Sequence, residues 1–242
     1  MMKHQTAAIL VIGNEVLSGR TREANAWLAA QRLFDLGCRL QEIAIVPDHL
    51  EAIAESLNRL RRQYDAVITS GGIGPTHDDI TMAAVAAAFG VPLVEDAAIV
   101  RIMEERFGPE GLNESRRRMA QMPEGARLIR CPKTIAPGAH IDNVYVLAGV
   151  PEIFASQLEA ILPGFGGTPY MRREIEVPLR ESLFAQGLEA IQQQFADVEI
   201  GSYPSHCTHP ASGKICLSGR DTDRLEAAES AVRAMLSTLP ED

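Results

Sequence analysis

Ser70-Gly71-Gly72-Ile73-Gly74-Pro75-Thr76-His77-Asp78-Asp79-Ile80-Thr81 joins an apolar run, Ala66-Val67-Ile68, to an Ala-rich segment that ends at Phe89-Gly90. The run reads as a buried strand and the Ala-rich segment as a helix. A strand, a glycine turn and a helix opened by carboxylates suit a phosphate and a metal ion together. Gly71, Gly72 and Gly74 let the backbone approach an anion, with Pro75 and Thr76 in the same turn. The N–H groups at the helix start then point at that anion. Asp78 and Asp79 would repel a bare phosphate, so their presence calls for a divalent cation between carboxylate and phosphate.

The same rhythm extends outward. Ala7 to Ile12 is a continuous apolar run closed by Gly13-Asn14, the pattern of a buried parallel strand. Glu23 to Leu36 has helical composition with Gly37 placed as its C-terminal cap, and Trp27 is expected in the core. Leu40 to Val46 returns to strand. The helix after it has Asp48 and Glu51 in capping-box spacing and an apolar face of Leu50, Ile53, Leu57 and Leu60. Ala97 to Met122 reads as helical. Val144 to Ala148 reads as a strand ended by Gly149-Val150-Pro151, with Pro151 suited to the first turn of the next helix. This alternation predicts an α/β domain, a mostly parallel sheet between two helical layers, over residues 1–166. Pro163-Gly164-Phe165-Gly166-Gly167-Thr168-Pro169 breaks the pattern as a linker. Beyond it, residues 170–242 read β-α-β-β-α, a small α+β unit.

In an open α/β sheet, ligands bind outside the carboxyl ends of the strands. Four loops leave such ends here, and they bring Gly13, Asn14, Glu15, Asp48, Asp78, Asp79, Gly149 and Pro151 to one edge. Convergent carboxylates are costly unless a cation bridges them, so Glu15, Asp78 and Asp79 are the expected metal ligands. Plainer roles compete. Asp48 and Asp79 could each cap a helix, and Glu15 could serve solubility. His77 reads as a solvent-facing loop residue. His206-Cys207-Thr208-His209 has no matching second half of a metal site and reads as a hairpin loop.

Bulk properties narrow the function. Lys and Arg number 23 against 32 Asp and Glu, a formal charge of −9 that disfavours nucleic acid as a partner. The run Arg116-Arg117-Arg118 reads as a solvated helix face. The 4 cysteines form no C-x-x-C pair, which suits reduced thiols in a cytoplasm. No apolar run approaches the ~20 residues needed to span a bilayer, and the start leaves no room for a secretory signal. A soluble cytoplasmic protein is expected.

The residues also resemble a known family. Ile12-Gly13-Asn14-Glu15-Val16-Leu17-Ser18-Gly19, Asn25, Val46-Pro47-Asp48 and above all Ser70 to Thr81 are similar to the molybdopterin-binding domain family. Asn113-Glu114-Ser115-Arg116-Arg117-Arg118-Met119, Ala136-Pro137-Gly138, Ala148-Gly149-Val150-Pro151 and Gly201-Ser202-Tyr203-Pro204 continue the match. They resemble the branch at the N-terminus of competence/damage-inducible protein A, and a related domain precedes the synthetase module of eukaryotic FAD synthases. The resemblance implies a three-layer α/β/α domain, often a homo-oligomer. It implies two aspartates beside the phosphate, here Asp48 and Asp79, as catalytic residues. It further implies hydrolysis of a pyrophosphate bond in nucleotides such as ADP-ribose or FAD, with Mg, Mn or Co. The broader family implies molybdopterin as a ligand or adenylyl transfer instead, and a nucleotide-sensing module without turnover is a third reading. The chain stops where longer members continue into a nicotinamide mononucleotide amidohydrolase domain, so that activity is not expected. Cys131 stands in place of a usual Asn before the Ala136-Pro137-Gly138 loop, Ser70 in place of Thr, and Ala139 in place of an aromatic.

Overall fold

The computed structural model describes residues 3–108, 110–204 and 213–239. It divides into two units that part between Gly167 and Thr168. In the first, apolar runs become strands and amphipathic stretches become the helices that cover them. The chain runs β1 (Thr6–Ile12), α1 (Asn14–Leu17), α2 (Asn25–Asp35), β2 (Arg39–Val46), α3 (Leu50–Gln63), β3 (Ala66–Ser70) and α4 (Thr81–Phe89). Then follow β4 (Leu93–Glu95), α5 (Ala97–Phe107), α6 (Glu114–Arg118), β5 (Gln121–Pro123), β6 (Arg127–Cys131), β7 (Thr134–Ile141), β8 (Val144–Leu147) and α7 (Pro151–Ile161).

The main sheet has the order β2-β1-β3-β8-β7-β6. β2, β1, β3 and β8 are mutually parallel, and β7 and β6 join as an antiparallel hairpin. Alternation along β1 divides the core. Ala8, Leu10 and Ile12 pack with Ile53, Leu57 and Leu60 of α3, Val85 of α4 and Met103 of α5. Ala7, Ile9 and Val11 pack on the other face with Ala29 and Leu33 of α2 and with Phe154 and Leu158 of α7. The result is a three-layer α/β/α domain. Its two dry faces supply most of the stabilisation, because each fully buried aliphatic side chain contributes roughly 1.5–3 kcal/mol.

The structure corrects several sequence readings. Trp27 is 64% exposed rather than in the core. α2 turns Ala26, Ala29 and Leu33 inward, and the residue after Ala26 lies about 100° round the helix, away from that face. Leu50 stays partly exposed, so the buried face of α3 is Ile53, Leu57 and Leu60. Ala97 to Met122 is not one helical region. Gly108, at φ 73°, ends α5, and Asn113 starts α6 by accepting a hydrogen bond from Arg116 N at 3.0 Å. Met122 lies in β5. Ala136-Pro137-Gly138 lies inside β7 rather than in a loop. An irregularity in β6 between Ile129 and Cys131 lets the ladder accommodate a proline that has no N–H. Ala139, which stands in place of an aromatic, is fully buried in the core and pairs with Val146.

The second unit runs β9 (Met171–Val177), α8 (Glu181–Gln194), β10 (Glu199–Pro204), β11 (Gly213–Gly219) and α9 (Thr222–Ser237). Its antiparallel sheet, ordered β10-β11-β9, packs Ile175, Ile215 and Leu217 against Leu188, Leu225 and Val232. The His206-Cys207-Thr208-His209 segment lies outside the described residues. Among the described residues no helix is long and apolar enough to cross a membrane.

Candidate functional site

The carboxyl ends of β1, β3 and β8 meet with almost no side chain between them. Gly71 has φ 106°, and a Cβ there would lie 2.2 Å from the Ile12 carbonyl oxygen. Gly72 has φ 67°, and a Cβ there would lie 2.2 Å from Thr81 Oγ1. A Cβ on Gly149 would come within 3.1 Å of Gly71 Cα. Both positive φ values and the close approach demand glycine. This explains in physical terms why the turn holds that residue type.

Buried polar side chains then lock the loops. Thr81 Oγ1 donates to the Gly71 carbonyl at 2.9 Å, and Thr81 N donates to the Gly72 carbonyl at 2.9 Å. Asn25 Nδ2 donates to Ser70 Oγ at 2.9 Å and to the Gly149 carbonyl at 2.8 Å. Ser70 therefore keeps the hydroxyl that a threonine would bring. Gln157 Oε1 accepts from Ala148 N at 2.8 Å, which fixes the loop before Pro151.

The carboxylates occupy distinct places. Asp48 Oδ2 accepts from Asn14 N at 2.8 Å and caps nothing in α3, whose N-cap is His49. It therefore ties the β2 loop to the β1 loop instead of starting a helix. Asp79 Oδ2 accepts from Thr76 N at 2.8 Å and also contacts Thr76 Oγ1, so it closes its own loop rather than capping α4. A Cβ on Gly74 would lie 2.7 Å from that same oxygen, so glycine is what admits the carboxylate there. Asp78 is held below the usual carboxylate range, chiefly by the Thr76 hydroxyl and next by its own backbone N–H. That hydroxyl has a single proton, so the two aspartates compete for it. Glu15 folds back over Gly13, where a Cβ would meet its Oε1 at 2.5 Å. Among the described residues no three His, Cys, Asp or Glu side chains gather closely enough to hold a metal ion.

α4 starts after Ile80 without any side-chain cap, and since Thr81 N is taken by the Gly72 carbonyl, the N–H groups of Met82 and Ala83 are left for a ligand. They open on a cavity of about 160 Å³ lined by Gly72, Gly74, Asp79, Met82, Ala83 and Arg118 among others. Arg118 was not foreseen in this role. Its Nη1 donates to the Thr76 carbonyl at 2.8 Å and brings a cation to the cleft. The arginine run is not one solvated face, since Arg117 pairs with Glu95 at 2.9 Å and Arg116 stacks 4.0 Å over Phe107. An arginine run in an acidic chain was the only available signal. His77 lines the cleft with its side chain exposed, as a loop residue should.

An α/β domain with a glycine-walled cleft at the carboxyl edge of its sheet is the class that this fold and site define. A family model described as "Probable molybdopterin binding domain" matches residues 8–173, and one described as "FAD synthase, middle domain" matches residues 169–239. The chain belongs to the molybdopterin-binding domain family and is CinA-like. A protein of Archaeoglobus fulgidus is 31% identical over 95% of this chain and 97% of its own length. A probable FAD synthase of Caenorhabditis elegans is 31% identical over 98% of this chain, which spans 51% of that relative. The crystal structure of the protein CinA from Thermoplasma acidophilum superposes with a TM-score of 0.61 at 31% identity, covering 65% of this chain and 95% of that one.

Proposed function

We propose that the protein is a divalent-metal-dependent pyrophosphatase that splits the phosphoanhydride of nucleotides such as ADP-ribose or FAD. One observation carries the reading: the uncapped start of α4 opens on a phosphate-sized cleft beside Asp79, with Gly72 as its wall. Such a helix start favours an anion through its free N–H groups and its dipole. The kinship with a probable FAD synthase agrees with a nucleotide that carries a phosphoanhydride.

The residues fit a divalent ion that arrives on the substrate. Every candidate donor is a hard carboxylate oxygen, and no three acids gather among the described residues. Mg²⁺ characteristically binds through one or two carboxylates plus substrate phosphates. Asp79 and Asp78 would hold it, and Glu15 on the neighbouring loop does not gather with them. When bound, it would neutralise phosphate charge and polarise the attacked phosphorus. Asp48 has one oxygen engaged by Asn14 N, and its other oxygen takes the proton from the attacking water. The water oxygen bonds to phosphorus as the bridging P–O bond breaks, leaving two phosphate monoesters. Charge developing on the non-bridging oxygens faces the N–H groups of the glycine turn and of α4. Asn14, Pro75, Thr76 and Pro151 shape the surrounding loops.

The test is chromatographic product analysis of ADP-ribose and FAD incubated with Mg, Mn or Co. AMP released by the wild type and absent with Asp79→Asn is the expected result, and no release under any metal would remove the reading. The family description favours a second ligand, molybdopterin, in the same cleft. A saturable pterin titration without turnover of nucleotides would move the assignment there.

A further inference from the structure

A second and larger cavity, about 530 Å³, lies between α5 and the β6–β7 hairpin. Ile99, Met103 and Leu128 form its apolar floor, and Arg106, Arg130 and Lys133 stand on its rim. No carboxylate lines it, although the chain as a whole carries a formal charge of −9. Lys133 Nζ approaches Glu152 at 3.8 Å, whereas Arg106 and Arg130 enter no ion pair among the described residues. Two arginines on one rim without counter-charges favour an anionic ligand there. The apolar floor favours a flat ring, and the volume lies within the range of small-molecule sites.

Strand register places this cavity against the phosphate cleft. Ala139 pairs with Val146, one residue before β8 ends at Leu147. Thr134 to Pro137 therefore runs past the carboxyl end of β8, and the hairpin tip overhangs the edge where the glycine loops lie. Met119 lines both cavities and forms a common wall. The smaller cleft, about 160 Å³, has room for a phosphate.

We infer that the larger cavity is the leaving-group subsite, which takes the nucleoside 5′-phosphate half of the substrate. This rests on the pyrophosphatase reading. The attacked phosphate sits at the start of α4, and the bridging oxygen passes the Met119 wall. The departing phosphate meets Arg106, Arg130 and Lys133, with its base on Ile99 and Met103. As the bridging P–O bond breaks, its electron pair stays on the departing phosphate, where the rim cations oppose the added charge.

The experiment is calorimetric titration of the whole protein with AMP and, separately, with inorganic phosphate. The proteins compared are the wild type, an Arg106→Gln/Arg130→Gln double variant and a space-filling Ala136→Phe variant, since Ala136 lines the cavity. AMP affinity is expected to fall at least tenfold in both variants, with phosphate affinity changed less than threefold. Alkylation of Cys131, which also lines the cavity, should be slowed by AMP and not by phosphate, as read by peptide mass mapping. Unchanged AMP affinity in both variants, or equal loss of AMP and phosphate binding, would overturn the subsite. Hydrolysis assayed in parallel separates the two claims. Arginine-dependent AMP binding without hydrolysis defeats the pyrophosphatase and keeps the nucleotide pocket. Hydrolysis with AMP binding indifferent to both variants does the reverse.

Discussion

The two edges of the central sheet are built on different principles. At the amino edge polar side chains tie the fold together. Asp65 Oδ2 accepts from Gln5 N and Thr6 N, each at 2.9 Å, and Asn143 Nδ2 donates to the Arg61 carbonyl at 2.9 Å. Tyr145 is stacked on His140 at 4.1 Å, bonded to His4 Nε2 at 3.0 Å and packed against Phe165. At the carboxyl edge, glycines replace aromatic packing and Thr81 and Asn25 clamp the loops from beneath. Asp78 is exposed and Asp48 and Asp79 are half-buried, and each keeps acceptor capacity after its protein contacts are counted. A carboxylate has about four lone-pair sites, so one or two internal bonds leave room for a ligand. The lesson is that a working edge shows itself by polar capacity that folding leaves unused.

The contrast breaks most visibly through catalysis. Asp48→Asn keeps an acceptor for Asn14 N but loses the basic oxygen, so AMP release should fall by about 10²- to 10⁴-fold with the thermal midpoint nearly unchanged. An equal loss in Tyr145→Phe, whose site is at the other edge, would erase the distinction. The next largest effect concerns the glycine walls. Gly71→Ala meets both a positive φ and the Ile12 carbonyl, and should cost about 3 kcal/mol or more in urea denaturation. Thr81→Val leaves the Gly71 carbonyl without its buried partner and should cost about 1–3 kcal/mol by the same measurement. A cost below half a kcal/mol for either would show that the loops are held by something else.

The smallest effect is a pH dependence at the amino edge. Burial is the main cause that lowers the His4 pKa below its ordinary value. The folded state then binds fewer protons than the unfolded chain below about pH 6.5, so stability is lost as pH falls through that range. Burial raises the Asp65 pKa, but the hydrogen bonds from Thr6 and Gln5 outweigh it and the net shift is downward. Its contribution is present above about pH 4 and is lost on further acidification. Urea midpoints at pH 7.5 and 5.5 should differ in the wild type, and His4→Gln should shrink that difference. At neutral pH, thiol reagents should spare Cys38, whose pKa is pushed up to about 12 mainly by burial, and label the partly exposed Cys131.

Much of this was legible from the chain alone. Continuous apolar runs closed by glycine or proline identified β1, β3 and β8, because a strand covered on both faces has no polar side to show. The three glycines after β3 announced a tight turn, and the structure has one there, with positive φ at Gly71 and Gly72. Local pattern failed where identity depends on a distant partner. Pro137 and Gly138 hid a strand that only the β6 and β8 ladders stabilise. Trp27 is apolar, yet helix phase rather than hydropathy put it outside. Arg118 looked like its two neighbours until the fold carried it to Thr76.

The sequence by itself determined the layered α/β plan and the glycine turn at its carboxyl edge, because periodicity and glycine geometry act over a few residues. Tertiary structure alone decided that Asp48 serves the β1 loop instead of a helix and that Arg118 enters the cleft. It also placed three cations of α5 and the β6–β7 hairpin around one cavity. Those facts depend on register and crossing between segments far apart in the chain, which no local pattern encodes.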